Sequence, residues 1–311
     1  MTKSDNRTLS RRELLAMAAG AAALAACGDV SATMPRSVIK RGIPSTGEKL
    51  PVIGMGTWQT FDVGTSGAAR KPLEAVLSEF VRLGGRLIDS SPMYGNSERV
   101  AGDLAKKTGV LAQLFVATKV WTSGEKAGIE QMERSAQLLQ TPRIDLMQVH
   151  NLVDVDTHLA TLRRWKDAER IRYIGVTHYH SGAYDHVERV MKSEKLDFLQ
   201  INYSIQEREA DRRLLPLAAD RGIAVIANRP YAGGDLFGRV HRQPLPPLAT
   251  ELGCESWGQF FLKFIIGHPS ITCAIPATSK VEHLRDNMGA AHGPIPDANQ
   301  RKRMVELVAR L

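Results

Sequence analysis

The chain has 311 residues, of which 43% are hydrophobic and 24% are charged, and its formal net charge is +8. These proportions are ordinary for a soluble globular protein, and they exclude a disordered chain, a collagen-like chain and a membrane protein with many spans. The length allows either two modest domains or one large α/β domain, and three cysteines without a CxxC pair do not make a disulfide framework.

The first 26 residues are predicted to be a cleavable export signal that precedes the fold. Arg11 and Arg12 are followed by an apolar, alanine-rich stretch that is shorter than the roughly 20 residues of a membrane-spanning helix. The paired arginines resemble the twin-arginine signal for folded proteins, and the segment LAAC (24–27) resembles a lipoprotein cleavage site. We therefore expect a lipid anchor at Cys27, a linker over residues 27–48, and export to the periplasm or cell envelope. A chance basic pair and an ordinary small residue at position 27 are the alternatives.

After residue 48, short apolar runs alternate with amphipathic stretches. The predicted strands are Val52–Thr57, Arg86–Ser90, Leu114–Val120, Ile144–His150, Arg172–Thr177, Phe198–Tyr203, Ala224–Asn228 and Thr272–Pro276. The predicted helices are Pro72–Leu83, Ser97–Lys107, Glu125–Leu139, Thr157–Glu169, Ala183–Lys192, Arg212–Ala219, Trp257–Ile266, Val281–Met288 and Ala298–Leu311.

This alternation predicts an α/β fold, a (β/α)8 TIM barrel over residues 49–311. Continuous apolar strands are typical of a parallel sheet that is covered by helices, and eight strand–helix units match the barrel. A doubly wound sheet is the alternative. Its GxGxxG signature is absent, because Gln59 follows Gly54 and Gly56 where the third glycine is needed.

Four ionisable side chains lie near the carboxyl ends of consecutive predicted strands, where the chemistry of such barrels takes place. Asp89 lies at the end of the second strand, Tyr94 follows it on the loop, Lys119 lies in the third strand and His150 ends the fourth. Each residue alone has a structural explanation, such as a helix cap or a packed tyrosine. Together, at matching strand ends, they predict an active site.

These four groups suit the donation of a proton to a carbonyl oxygen. A free tyrosine has a pKa of about 10, and the Lys119 ammonium is expected to lower the pKa of Tyr94 so that it acts as a general acid. Asp89 would hold Lys119 charged, and His150 would hydrogen-bond the same carbonyl oxygen. Because side chains cannot supply a hydride, carbonyl reduction also requires a nicotinamide cofactor.

Six segments resemble motifs of the aldo-keto reductase family. They are LIDSSPMYGNSE (87–98), VATKVW (116–121), DLMQVHN (145–151), IRYIGVTHY (171–179), LQINYS (199–204) and IPATSKVEHLRDN (275–287). The resemblance implies the eight-stranded barrel and a catalytic tetrad of Asp89, Tyr94, Lys119 and His150, with Tyr94 as the acid. It also implies a nicotinamide cofactor and favours NADP(H) over NAD(H).

The resemblance implies a set of cofactor contacts as well. They are Gly56, Thr57, Trp58, Thr177, His178, Gln200, Asn228, Thr278, Ser279, Lys280, His283 and Asn287. Gln200 stands where the family holds the nicotinamide carboxamide, and Asn287 is expected near the adenine. His178 replaces an asparagine, and Asn228 replaces a tyrosine that stacks on the nicotinamide.

Two positions depart from the pattern of members that prefer NADPH. Ala277 and His283 stand where many of these members carry a lysine and an arginine. We therefore expect weak recognition of the 2′-phosphate, although Lys280 and Arg285 remain nearby.

The function predicted from the sequence is reduction of an aldehyde or ketone, a small-molecule carbonyl substrate. A monomer is the favoured oligomeric state. The mouth of the site is expected to be lined by Trp58, Met93, Trp121, Asn151 and Tyr231. Scattered basic residues argue against a nucleic-acid partner. A regulatory or sensor subunit that binds the cofactor is the alternative. A barrel hydrolase or lyase is a further alternative. It would need a metal cluster or paired catalytic carboxylates at the strand ends, and the sequence shows neither there.

Overall fold

A computed structural model of the chain describes residues 37–311. The predicted export signal, the lipid anchor at Cys27 and the first part of the predicted linker lie outside the described residues. Among residues 37–311, no helix is both long enough and apolar enough to cross a membrane.

Eight parallel strands form the central sheet in chain order. They are β3 (Met55–Gly56), β4 (Leu87–Asp89), β5 (Phe115–Val120), β6 (Ile144–His150), β7 (Ile171–Thr177), β8 (Phe198–Asn202), β9 (Ala224–Asn228) and β10 (Ile271–Ala274). The sheet closes on itself because the Gly54 and Gly56 amides donate to the carbonyl oxygens of Ala274 and Pro276, at 2.8 and 3.1 Å. The predicted (β/α)8 barrel is therefore confirmed.

The helices follow the strands. They are α1 (Gly67–Arg82), α2 (Ser97–Lys107), α3 (Glu125–Leu138), α4 (Val155–Asp167), α5 (Tyr184–Ser193), α6 (Leu214–Asp220), α7 (Asp235–Arg239), α8 (Pro247–Glu251), α9 (Trp257–Ile266), α10 (Val281–Gly289) and α11 (Ala298–Val308). The short helices α7 and α8 were not predicted. In α1, Leu73, Val76, Leu77 and Phe80 form the buried face, and this is the i, i+3, i+4 spacing of an amphipathic helix.

A short hairpin precedes the first strand of the barrel. Strands β1 (Lys40–Gly42) and β2 (Lys49–Pro51) pair antiparallel, and Ile43 and Leu50 are fully buried against the apolar residues inside the barrel. Arg41 donates to the carbonyl oxygens of Ile266, His268 and Ile271, just before and within β10. Residues 40–42, within the predicted linker, therefore form part of a hairpin that packs against the amino-terminal end of the barrel.

Inward-facing positions change from apolar to polar along the strands. Near the amino-terminal end, Phe115, Leu146 and Phe198 belong to one apolar cluster inside the barrel. Two or four residues further along the same strands lie Lys119, Gln148 and Gln200, which are also buried. Because side chains alternate between the faces of a strand, these polar residues point into the same interior. The apolar half of the barrel is thus a core, and the polar half forms the candidate site.

Candidate active site

The four predicted catalytic residues meet at the carboxyl rim of the barrel. In the parallel register Asp89 lies beside Ala117, Lys119 beside Gln148, and His150 beside Thr177. This register brings the ends of β4, β5 and β6 to one edge. Tyr94 lies on the loop after β4, in a turn where its amide donates to the carbonyl oxygen of Ser91 at 3.0 Å.

Lys119 and Asp89 form a buried ion pair at the base of the site. The Lys119 Nζ atom lies 2.6 Å from Asp89 Oδ2 and donates a second bond of 2.6 Å to the carbonyl oxygen of Ser90. Burial acts to lower the pKa of Lys119, but the Asp89 carboxylate and Tyr94 outweigh it, so the pKa is raised. Lys119 is therefore a fixed positive charge.

Two glutamines complete the hydrogen bonding of the Asp89 carboxylate. Asp89 Oδ1 accepts from the side-chain amides of Gln148, at 3.1 Å, and Gln200, at 2.9 Å. All three side-chain partners of Asp89 are donors, so both of its carboxylate oxygens are hydrogen-bonded inside the barrel. Gln148 was not among the predicted site residues, although a polar residue within an otherwise apolar strand was a signal for it.

Tyr94 faces both Lys119 and His150. The Lys119 ammonium lies 5.0 Å from the centre of the Tyr94 ring, and the ring meets His150 edge-on at 5.9 Å between centroids. Burial raises the pKa of Tyr94, and the nearby Lys119 charge only partly opposes this effect. The predicted net lowering of this pKa is therefore wrong, and Tyr94 is a protonated phenol.

His150 is an uncharged imidazole. Burial, with a smaller effect from the Lys119 charge, lowers the pKa of His150 to about 2. Its Nδ1 atom lies 3.0 Å from the hydroxyl oxygen of Ser91, a contact that the sequence analysis did not anticipate. The group can therefore hydrogen-bond a carbonyl oxygen without carrying charge into the site.

The predicted nicotinamide contacts lie together on β7, β8 and β9. The Gln200 side-chain amide donates to Asp89 Oδ1 and to Gln148 Oε1. Gln200 Oε1 accepts from the Thr177 hydroxyl at 3.2 Å. Because an amide oxygen has two lone pairs, one remains available to a ligand. The Asn228 amide donates to the His178 carbonyl oxygen at 3.1 Å, and Asn228 Oδ1 is buried without a partner among residues 37–311.

In the part of the chain that the structure describes, the buried oxygen of Asn228 has no donor and the fixed oxygen of Gln200 has one. A nicotinamide carboxamide carries the N–H groups that such oxygens require, so these residues fit the cofactor. His178 is buried, and its Nδ1 accepts from the amide of Tyr179 at 3.1 Å, which leaves Nε2 as its remaining polar atom. Within residues 37–311, no three His, Cys, Asp or Glu side chains converge to hold a metal ion.

The first-strand residues lie where the barrel closes. A Cβ on Gly56 would lie only 3.1 Å from the carbonyl oxygen of Ile275, so glycine permits the close approach of the first and last segments. The Thr57 hydroxyl donates to the Asp89 carbonyl oxygen at 3.0 Å and is fully buried. Thr57 therefore supports the end of β4, and the next residue, Trp58, is exposed.

The last predicted cofactor segment forms the start of α10. Thr278 accepts from the Lys280 amide at 3.1 Å, while Ser279, Lys280 and His283 are exposed. An exposed helix start of this kind attracts anions. Arg285, expected nearby, instead donates to Glu79 of α1 at 2.6 Å.

Three of the predicted mouth residues lie exposed on consecutive loops. Trp58, Met93 and Trp121 are 48%, 39% and 42% exposed after β3, β4 and β5. Asn151 follows His150 with a left-handed backbone (φ 52°). The Tyr231 hydroxyl donates to Asn287 Oδ1 at 2.6 Å, so Tyr231 contacts α10 at the predicted adenine contact.

Comparisons with known proteins agree with the resemblance to the aldo-keto reductase family. The aldo/keto reductase family profile matches residues 52–307. The chain is 31% identical over 213 residues to the aldo-keto reductase YhdN of Bacillus subtilis, a match that spans 64% of this chain and 63% of YhdN, which is less than two thirds of that relative. It is 26% identical over 245 residues to the methylglyoxal reductase YeaE of Escherichia coli, over 76% of this chain and 84% of YeaE.

A solved structure has a similar fold. It is an aldo/keto reductase from Klebsiella pneumoniae in complex with NADP and acetate, with a TM-score of 0.70 and 22% identity over 84% of this chain and 93% of that chain. The family match covers nearly all of the barrel. The predicted family is therefore confirmed, and the chain belongs to the aldo/keto reductase family of oxidoreductases.

Proposed function

We propose that this chain reduces the carbonyl group of a small aldehyde or ketone with NADP(H) as cofactor and Tyr94 as the general acid. The observation that carries the proposal is the meeting of Tyr94 with Lys119 and His150, at 5.0 and 5.9 Å, above the buried Asp89 carboxylate. Family membership and the NADP held by the Klebsiella relative support it.

The side chains divide the work of polarising and protonating the carbonyl oxygen. The nicotinamide, when bound, supplies the hydride. Tyr94, a protonated phenol, donates its proton to the oxygen, and the fixed charge of Lys119 stabilises the phenolate that remains. Uncharged His150 donates a hydrogen bond to the same oxygen as negative charge develops there.

The cofactor would be held at two places on the rim. Gln200, Asn228 and His178 would hold the carboxamide, since they present spare polar atoms between β7 and β9. Ser279, Lys280 and His283 at the start of α10 would meet the adenosine phosphate. Lys280 is the single cation among these three, which supports a modest preference for NADP(H).

The exposed side chains of the mouth support an apolar contact with the substrate. Trp58, Met93 and Trp121 offer two indoles and a thioether on adjacent loops. Indole rings and thioethers adapt well to varied apolar groups. YeaE, by its name, acts on methylglyoxal, and we include small dicarbonyl compounds of this kind in the proposed substrate class.

Turnover by the purified full-length chain tests the proposal. NADPH oxidation is followed with a generic aromatic aldehyde and with methylglyoxal, and the alcohol product is identified. Reduction by the wild type and its loss in Tyr94→Phe support the proposal. Tight NADPH binding without turnover of either compound would instead identify the sensor or regulatory subunit.

For location, we propose export in the folded state and attachment to the cell envelope through Cys27. The support is the sequence of residues 1–27, together with the need to fold around a cofactor that is scarce outside the cytoplasm.

A further inference from the structure

His150 can assist a carbonyl oxygen only if the ring nitrogen that faces the oxygen carries the proton. A neutral imidazole has one donor and one acceptor nitrogen, and its surroundings decide which is which. His150 is buried and uncharged, and within residues 37–311 its Nε2 has no hydrogen-bond partner. The partner of Nδ1 therefore determines whether Nε2 is a donor.

That partner is the hydroxyl of Ser91, whose oxygen lies 3.0 Å from His150 Nδ1. The same oxygen accepts a bond of 3.4 Å from the backbone amide of Met93. Ser91 is fully buried, and these are its only side-chain hydrogen bonds within the described residues. If Nδ1 carried the proton, the serine hydrogen would be buried without an acceptor, which is costly. If the serine donates, its hydrogen and His150 Nδ1 are both satisfied, and the proton on Nε2 faces the site where the carbonyl oxygen would lie.

We propose that Ser91 is a positioning residue that donates to His150 Nδ1 and so holds the proton on Nε2. Its backbone also supports the acid, because the carbonyl oxygen of Ser91 accepts from the Tyr94 amide at 3.0 Å. One short turn thus orients both groups that meet the substrate oxygen. The effect on turnover rests on the proposed function, whereas the protonated nitrogen of His150 can be measured without it.

Nitrogen NMR of protein labelled at the histidine rings tests the proposal directly. The His150 signals are assigned by their loss in His150→Gln. The wild type should show a protonated Nε2 and an unprotonated Nδ1 at neutral pH. Ser91→Ala should change the tautomer, and Ser91→Thr, which retains a hydroxyl, should restore it.

Kinetics give the second readout. Ser91→Ala should lower kcat by about tenfold to a hundredfold, the range seen for partners that fix a histidine tautomer, and Ser91→Thr should recover most of it. Ser135→Ala is the matched control, since Ser135 is a buried serine that bonds Glu98 at 3.1 Å and no site residue. It should leave the His150 signals and kcat unchanged.

The outcomes separate the two proposals. A wild-type His150 protonated on Nδ1, or a tautomer unchanged in Ser91→Ala, overturns the role of Ser91 whatever the activity. A chain that reduces no carbonyl compound but shows the Nε2 proton and its dependence on Ser91 sustains that role and refutes the proposed function.

Discussion

Lys119 and Asp89 form an ion pair of 2.6 Å whose side chains are 0% and 3% exposed. Removal of one charge from such a pair leaves the other buried and unpaired. In Asp89→Asn the new amide would also face three donors, from Lys119, Gln148 and Gln200. We therefore expect Asp89→Asn to lower the free energy of unfolding by about 3–5 kcal/mol.

Denaturant unfolding at neutral pH measures this loss. Asp103→Asn is the control, because Asp103 pairs with Arg70 at 2.8 Å but is 35% exposed, and such pairs contribute about 0–1 kcal/mol. Equal losses in the two variants would show that the buried ion pair contributes no more to stability than the exposed one. Asp89→Asn combined with Lys119→Met should be more stable than Asp89→Asn alone.

Tyr94→Phe tests the acid. The change removes one hydroxyl and keeps the ring that meets His150 and Lys119. Loss of a general acid lowers the rate by about 10²–10⁴-fold, so kcat for aldehyde reduction should fall in that range. NADPH affinity, measured by fluorescence titration, should change little. Turnover close to that of the wild type would remove Tyr94 from the role of acid.

The barrel and the rim site follow from local pattern, and the sequence was enough for both. Eight apolar strands spaced by helices specify the sheet, and the strand register then brings Asp89, Lys119 and His150 to one edge. The hairpin was missed because β1 and β2 are three residues each and carry Lys40, Arg41 and Lys49. Its formation depends on contacts with β10, which lies more than 200 residues away.

The raised pKa of Tyr94 and the hydrogen-bond partners of Ser91 and Arg285 could not be predicted from the sequence pattern. The pKa of Tyr94 is raised because desolvation outweighs the Lys119 charge, and only the packed structure sets that balance. Ser91 carried no signal, since a serine in a loop is ordinary and its contact with His150 spans 59 residues. The pairing of Arg285 with Glu79 likewise depends on how α10 packs on α1.

Acid should destabilise the protein through His150. An unfolded histidine has a pKa of about 6.5, and burial lowers the pKa of His150 to about 2 in the fold. Below the unfolded value, the unfolded chain binds a proton that the folded chain refuses, so the free energy of unfolding falls as the pH falls from 6.5 towards 2. By pH 4.5 the titration of His150 alone should lower the free energy of unfolding by about 2–3 kcal/mol.

Urea unfolding between pH 7 and pH 4.5 measures the effect. His150→Gln removes the titrating ring, so its stability should decline less steeply than that of the wild type. The exposed His241→Gln is the control and should keep the wild-type slope. Parallel slopes for the wild type and His150→Gln would contradict the lowered pKa of His150.

Cofactor preference should be modest. A charged hydrogen bond to a phosphate contributes about 1.5–3 kcal/mol, and the chain lacks two of the cations that strongly selective members carry. Arg285 is held by Glu79 at 2.6 Å, which leaves Lys280 as the remaining cation. Titrations with NADPH and NADH should give a difference well below a thousandfold, and Lys280→Ala should reduce it further. Lys126→Ala, at an exposed position, is the control. A preference of thousands-fold for NADPH over NADH would show that Arg285 leaves Glu79 for the phosphate.

The export proposal makes two separable predictions about residues 1–27. Arg11→Lys with Arg12→Lys should leave folded, active protein in the cytoplasm, because the twin-arginine route depends on the paired arginines. Cys27→Ala should still be exported but should not be anchored, since the anchor depends on acylation of that sulfur, and more than one acyl chain is needed for firm attachment. Cell fractionation and mass spectrometry of the mature amino terminus distinguish these results. Normal export of the double lysine variant would refute the twin-arginine route, and a mature chain that begins at any residue other than Cys27 would refute the lipid anchor.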